Sequence, residues 1–275
     1  MKHRIDLGLA LSILTIAALL LLAVAAGWIA PHDPENARPQ LRLKDPCREY
    51  PLGTDHLGRC IFSRILFAIR VSLFIGLSVV LFSALIGTIL GGAAGYYGGF
   101  LDEAVMRVVD AFLSFPSIFL ALAVIGFLGS GLANIMLSLI LVEWTGYARL
   151  VRSGVLSLHG KEFLEAARSL GASDLYIMSR HILPNVLPSV LVMATLGVGY
   201  AILGAASLSF LGLGVQPPTP EWGSMMNDAR PFLRSHPMMM IFPGIAITVT
   251  VLAFHLLGDG IRDLLDSRSE AKTQL

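Results

Sequence analysis

Five stretches of the chain contain no Asp, Glu, Lys or Arg: Leu7–His32, Val71–Leu101, Ala111–Val142, His181–Pro220 and Ser235–Gly258. Together they hold 153 of the 275 residues, which confines all 39 charged side chains to the other 122. A helix crosses the hydrocarbon core of a bilayer with about 20 apolar residues, so each run is long enough to span. With 55% hydrophobic residues and a formal net charge of +1, the chain lacks the polar surface of a soluble domain and the charge excess that steers proteins to nucleic acid. A soluble enzyme, a nucleic-acid binder and a disordered tail are excluded, and the lipid bilayer is the first predicted partner.

Dividing the runs at their turn signals predicts six spans, roughly 7–30, 71–95, 104–128, 133–152, 186–214 and 239–258, in an all-α polytopic fold. The third run divides at Gly129-Ser130-Gly131, where clustered glycines favour a turn. Pro116 and Pro243 fall inside predicted spans, where neighbouring helices can satisfy the freed carbonyls. Strong period-two alternation is absent, which argues against a membrane β-barrel. Lys2, Arg4 and the small residues Ala23-Val24-Ala25 give the first run the look of a secretory signal, but Leu7–Ala26 is longer than a typical signal core and is read as an uncleaved span. Six spans put both termini on one side and loops 31–70, 129–132 and 215–238 on the other. The Lys/Arg count is 11 on the terminal side against 9 on the other, too even to orient the protein.

The second span carries a small residue at every fourth position: Ser83, Gly87, Gly91, Gly95 and Gly99. Such a stripe lets another backbone come close in lipid, where apolar surface alone drives no association. It serves either bundle packing or, with Gly87, Gly91 and Gly95 as candidates, the wall of a translocation path.

Ser157–Pro184, between the fourth and fifth spans, is too polar for lipid. Phe163, Ala167 and Leu170 recur at i, i+4 and i+7 with Glu162, Glu165 and Arg168 turned away, which predicts a short amphipathic helix. Gly171 suits the left-handed residue that ends it, and Ser173 suits the cap of the next helix. Leu175, Met178 and Ile182 form a second apolar stripe, and Pro184 closes the unit. Two short helices held at an angle outside the membrane make a rigid knob, suited to pushing or being pushed by a partner.

Glu165-Ala166-Ala167, Gly171 four residues on, and Ile182-Leu183-Pro184 together resemble the EAA loop of ABC-importer permeases. Gly53-Thr54-Asp55-His56-Leu57-Gly58-Arg59 resembles that family's GTDxLGR segment. Ala205–Gly214, Pro217–Gly223 and Leu257–Asp263 resemble further family stretches, so that roughly residues 50–267 look like the second ("C") permease of the peptide/nickel uptake family. The resemblance implies a type I importer permease fold in which Glu165, Ala166, Ala167, Gly171, Asp174, Ile182 and Pro184 couple to an ATPase. It implies residues 1–70 as a first helix and external loop, 71–267 as the permease core with its loop at 157–184, and 268–275 as a tail. It places the chain in the bacterial inner membrane with both termini cytoplasmic. It also implies a homologous permease partner, two ATPase subunits that bind the ATP and Mg, and an extracytoplasmic substrate-binding protein. Cys60 stands where that family usually continues with Asp, and with Cys47 it puts two thiols in one predicted external loop, paired or free.

A motor of its own would need the phosphate-cradling G-x-x-x-x-G-K-[ST] loop. The only Gly-Lys pair, Gly160-Lys161, has Val155 where the first glycine belongs and Glu162 after it. The chain is therefore read as a non-catalytic transport subunit without a cofactor, and an ion- or proton-coupled carrier is the alternative. Glu143 lies mid-way along the fourth span, where a charge is costly; it is either one half of a structural ion pair or a contact for a cationic or amine-bearing substrate. Asp110 is expected to pair with Arg107 three residues before it, and His255 is expected to be a hydrogen-bonded bundle histidine. Glu221–Pro237 reads as an interfacial element with Trp222 near headgroup depth. By resemblance, Glu221, Trp222 and Arg230 are candidates for docking the binding protein. Peptides, opines and nickel or nickel chelates are the cargoes the resemblance allows.

Overall fold

The computed structural model describes residues 7–265 in full; Lys2, Arg4 and the predicted tail 268–275 lie outside these fully described residues. The chain is helical, with α1 Leu7–Ile29, α2 Ile61–Tyr97, α3 Gly99–Leu113, α4 Ser117–Leu128, α5 Leu132–Leu158, α6 Glu162–Ser169, α7 Asp174–Ile177, α8 Leu183–Phe210, α9 Trp222–Ala229 and α10 Met238–Thr273. No β-strand occurs among the described residues, only an isolated bridge between Thr54 and Cys60.

Among the described residues, four helical stretches are long and apolar enough to cross a membrane: Leu7–Ile29, Ile61–Tyr97, Asp174–Phe210 and Met238–Leu265. The α3–α4 pair makes a fifth if its two halves are taken together. At 27 residues, α5 is about 40 Å long, but Asn134, Glu143, Arg149 and Arg152 lower its apolar character. By length and apolarity alone, the described residues thus give four or five of the six spans read from the sequence.

Three predicted boundaries are corrected. Helix α2 begins at Ile61, ten residues before the predicted span, because the arginines taken to mark its end are satisfied by carbonyls of other segments. Arg64 donates from Nη1 to the Pro34 carbonyl at 3.0 Å, and Arg70 donates to the carbonyls of Ala23 and Val24 in α1. The predicted third span is broken rather than continuous: α3 and α4 meet at 93°. Pro116 cannot donate a backbone hydrogen bond and pushes Phe115 away from helical geometry, and the carbonyls at the end of α3 are met locally, Ala111 by the Ser114 hydroxyl at 2.7 Å and Phe112 by the Phe115 N–H at 3.4 Å. In the polar loop, Pro184 closes nothing. From Asp174 the chain runs through a widened π turn at Met178–Ile182 straight into α8. The looser turn ahead of Pro184 accommodates the carbonyls that its ring would otherwise strike.

Helices α2, α5 and α8 form the centre, with α10 packed on α8 and α1 lying outside on α10 and α2. The small-residue ladder is the seam between α2 and α5. A methyl group added at Gly87 would fall on Tyr147 and the Trp144 carbonyl, and one at Gly91 on the backbone of Ala148. At Gly95 it would sit 3.0 Å from Val155. The last expected rung, Gly99, is not on this face; with Gly98 it adopts positive φ and turns the chain from α2 into α3. Gly91→Ala is therefore expected to force the helices apart and destabilise the protein by about 1–3 kcal/mol. Gly126→Ala in α4, where the added methyl meets nothing within 4 Å, is expected to be neutral or stabilising by up to about 1 kcal/mol. Thermal unfolding of the two variants in detergent checks the contrast.

Candidate functional site

The knob forms from local signals. Gly171 takes φ +78, its N–H donates to the Arg168 carbonyl at 2.9 Å, and the next N–H, from Ala172, reaches back to Ala167 at 3.1 Å. These are the paired bonds of a Schellman ending. Ser173 caps the following helix by accepting from the Tyr176 N–H at 3.4 Å. The residues that anchor the knob are Leu164, Ile177 and Ile182, all buried, with Ala167 half-buried beside them. The predicted stripes are thus shifted: Phe163, Leu170 and Leu175 are exposed, Leu170 to 88% and Leu175 to 79%. Glu165, Ala166, Asp174 and Pro184 are also exposed. Two contacts tie the knob to the end of α2: the Tyr96 hydroxyl bonds Asp174 Oδ1 at 2.7 Å, and the Arg168 guanidinium lies 5.7 Å from the Tyr96 ring centre.

A cavity of about 540 Å³ opens between α4, α5 and α8. Glu143 is its one charged lining residue, set among Leu139, Val142, Met193 and Leu203, with Ser117, Ser207 and Tyr200 supplying polar atoms. Glu143 forms no ion pair among the described residues, and burial is the dominant influence on its carboxyl. Gly87, Gly91 and Gly95 do not line this cavity; α5 covers them. His255 differs from expectation: its Nε2 makes no hydrogen bond among the described residues, and its ring packs 5.0 Å from that of Tyr200. Asp110 pairs with Arg149 of α5 at 2.7 Å, not with Arg107, which instead contacts Glu103 at 3.5 Å. A second bridge between the same helices joins Asp102 and Arg152, with Nη2 to Oδ2 at 2.6 Å. Across-helix partners win because two arginines on α5 face α3 together.

At the other end of α2, a buried ion network fastens the loops. Asp55 accepts the backbone N–H groups of Leu57 and Arg59 and the Arg59 Nε at 2.6 Å. Arg59 also donates to Asp228 at 3.1 Å, and Arg64 holds the Pro34 and Pro218 carbonyls. Arg59 and Arg64 are each only 2% exposed. Trp222 is fully buried and donates from Nε1 to the Ile65 carbonyl at 3.3 Å. Glu221 caps α9 by accepting from the Gly223 and Ser224 N–H groups at 2.8 Å each. Burial pushes the Glu221 carboxyl up, and those two hydrogen bonds pull against it. Glu221 and Trp222 are therefore framework residues beneath the surface, neither a docking face nor a headgroup anchor. Arg230 remains exposed, stacked 5.2 Å above the Phe210 ring. Cys47 and Cys60 are unpaired, Cys60 buried beside Thr54.

The sequence pattern of the family described as "binding-protein-dependent transport system inner membrane component" matches residues 87–270. The chain belongs to this family. It is 45% identical to the nickel transport system permease protein NikC of Escherichia coli (strain K12), over 93% of this chain and 92% of that one. It is 48% identical to the glutathione transport system permease protein GsiD of Escherichia coli O157:H7, over 93% and 84%. Two inward-facing crystal forms of the MetNI methionine ABC transporter share its fold, with TM-scores of 0.53 and 0.54 at 21% identity. They cover 70% of this chain and 94% and 93% of the matched chains.

The permease thus has its polar chemistry in three places: the knob at one end of α2, the ion network at the other, and the cavity between α4, α5 and α8. Sequence reasoning noticed the Gly-Thr-Asp-His-Leu-Gly-Arg segment only as a resemblance and missed the pairing of Arg59 with Asp228. The missed signal was Arg64, an arginine one helical turn into a run of otherwise apolar residues. Arg59→Ala leaves Asp55 and Asp228 without their shared cation and is expected to cost the permease about 3–5 kcal/mol. Arg59→Lys should recover little, since one ammonium cannot replace the forked guanidinium. Thermal unfolding of the purified variants measures both.

Proposed function

We propose that the chain is one permease subunit of an ATP-binding-cassette importer. A homologous sister permease completes the translocation path, two ATPase subunits supply ATP hydrolysis with their own ATP and Mg, and an extracytoplasmic binding protein delivers the cargo. In this reading α5 also crosses the membrane, its polar groups turned to α3 and the cavity, and with the α3–α4 pair it brings the spans to six. Both termini and the knob then lie in the cytoplasm, and residues 31–60 and 211–237 lie outside. The cargo belongs to the small solutes carried by such importers, di- or oligopeptides or nickel, free or chelated.

The observation that carries this reading is the continuity of the knob with the cavity wall. Phe163, Leu170, Leu175 and Tyr176 expose apolar surface on a segment whose turn is fixed by Gly171 and Ser173, as a partner-docking surface requires. The helix that starts at Asp174 runs unbroken to Phe210 and supplies Met193, Tyr200 and Ser207 to the cavity. A push on the knob therefore moves one wall of the cavity. Glu165, Ala166, Ala167, Gly171, Asp174, Ile182 and Pro184 form the coupling element, and Glu143 lies on the path.

Gly171→Leu places a side chain at a left-handed residue, a strain of about 1–2 kcal/mol. In vesicles containing the whole transporter, ATP-driven uptake is expected to fall about tenfold or more while the subunit inserts at normal levels. Normal uptake at normal levels would overturn the coupling role. Uptake driven by a pH gradient in vesicles lacking the ATPase subunits would instead establish an ion-coupled carrier.

A further inference from the structure

The cavity between α4, α5 and α8 has an unusual balance of groups. Among the described residues its lining is mostly apolar and contains no Lys, Arg, His or Cys, and a single carboxylate, Glu143. No cation among the described residues compensates that carboxylate. Tyr200, 58% exposed, presents its ring to the same space, and Tyr147, one turn beyond Glu143, holds its hydroxyl 3.5 Å from the Met193 carbonyl. A carboxylate and a partly exposed aromatic ring, here backed by His255 at 5.0 Å, lining one apolar cavity are the chemistry that receives an ammonium or guanidinium group. The same set is poor for a bare divalent metal, which needs four to six ligands of matched type and finds one here. It is poorer still for an anion, which would meet an acid and no donor charge. A volume of about 540 Å³ is that of a small-molecule site.

We propose that this cavity is a station for an organic cation, with Glu143 as its counter-charge and Tyr200 as its aromatic wall. The inference rests on the reading of the cavity as part of the translocation path. It narrows the cargo to solutes presenting a free ammonium or guanidinium group as they pass, and it makes a bare nickel ion the wrong occupant for this site.

The test is charge-selective labelling inside the assembled transporter. With Cys47 and Cys60 replaced by alanine, Ser117→Cys puts one thiol on the cavity lining. The probes are a trimethylammonium-ethyl and a sulfonatoethyl methanethiosulfonate, and adducts on this subunit are followed by intact mass. The cationic probe is expected to react faster, and adding Glu143→Gln is expected to lower the ratio of the two rates about tenfold, since one unit charge acts across the width of the cavity. An unchanged ratio would overturn the proposal, because Glu143 would then be protonated or neutralised by the sister permease. Failure of both probes to react would also overturn it, since the cavity would be filled by lipid or protein. Because labelling needs neither ATP nor the knob, its result is independent of the Gly171→Leu uptake result. Tyr200→Leu with Glu143 intact is a second variant: it is expected to slow the cationic probe selectively, and equal slowing of both probes would remove the aromatic wall from the site.

Discussion

The close approach of α2 and α5 is the contact on which the rest of the molecule depends. In lipid, apolar side chains gain little by leaving one greasy surface for another, so helices associate where backbones can come near and pack. Gly87, Gly91 and Gly95 allow this by presenting no side chain to Tyr147, Ala148 and Val155. Once that seam is closed, the rotation of α5 is set. Arg149 and Arg152 then face α3 and its two aspartates, while Glu143 turns to the cavity. A polar helix is held inside an apolar bundle because each of its faces has a defined use.

The same economy governs the two ends of α2. At one end, Arg59 and Arg64 are buried and joined to Asp55, Asp228 and carbonyls of two loops, so segments distant in sequence are bound into one cap. At the other end, Tyr96 reaches both short helices of the knob through Asp174 and Arg168. The knob is thus attached twice, by side chains to α2 and by its own backbone to α8. In the proposed coupling role, a force applied there would pass along α8 to the cavity wall.

The membrane fold was legible because charge is excluded from lipid, and the long uncharged runs mark the helices well. The knob was legible too: a glycine with positive φ and a serine cap are local signals, and both appear where the sequence predicts them. Tertiary compensation defeated the reading elsewhere. Arg64 and Arg70 looked like the border of a span, yet carbonyls from other segments let the helix run past them. Glu221 and Trp222 looked like surface residues, yet a helix N-terminus and the Ile65 carbonyl satisfy them in the interior. Pro116 could have been carried by a straight helix, but the Ser114 hydroxyl and the Phe115 N–H donate to the Ala111 and Phe112 carbonyls within the turn itself, and the chain bends there by 93°. Glu143 was visible as an exception to the uncharged pattern, but its lack of an ion pair among the described residues could be learned only from the packing around it.

In the proposed mechanism the knob and α8 move as one body and thereby change the cavity. Spin labels at Leu175→Cys and Ser207→Cys, about 48 Å apart along the helix, and a second pair at Ser117→Cys and Ser207→Cys across the cavity, measure this by double electron–electron resonance in the whole transporter. ATP binding is expected to change the cross-cavity distance and leave the distance along the helix unchanged. A changed Leu175–Ser207 distance, or a cross-cavity distance indifferent to ATP, would contradict it.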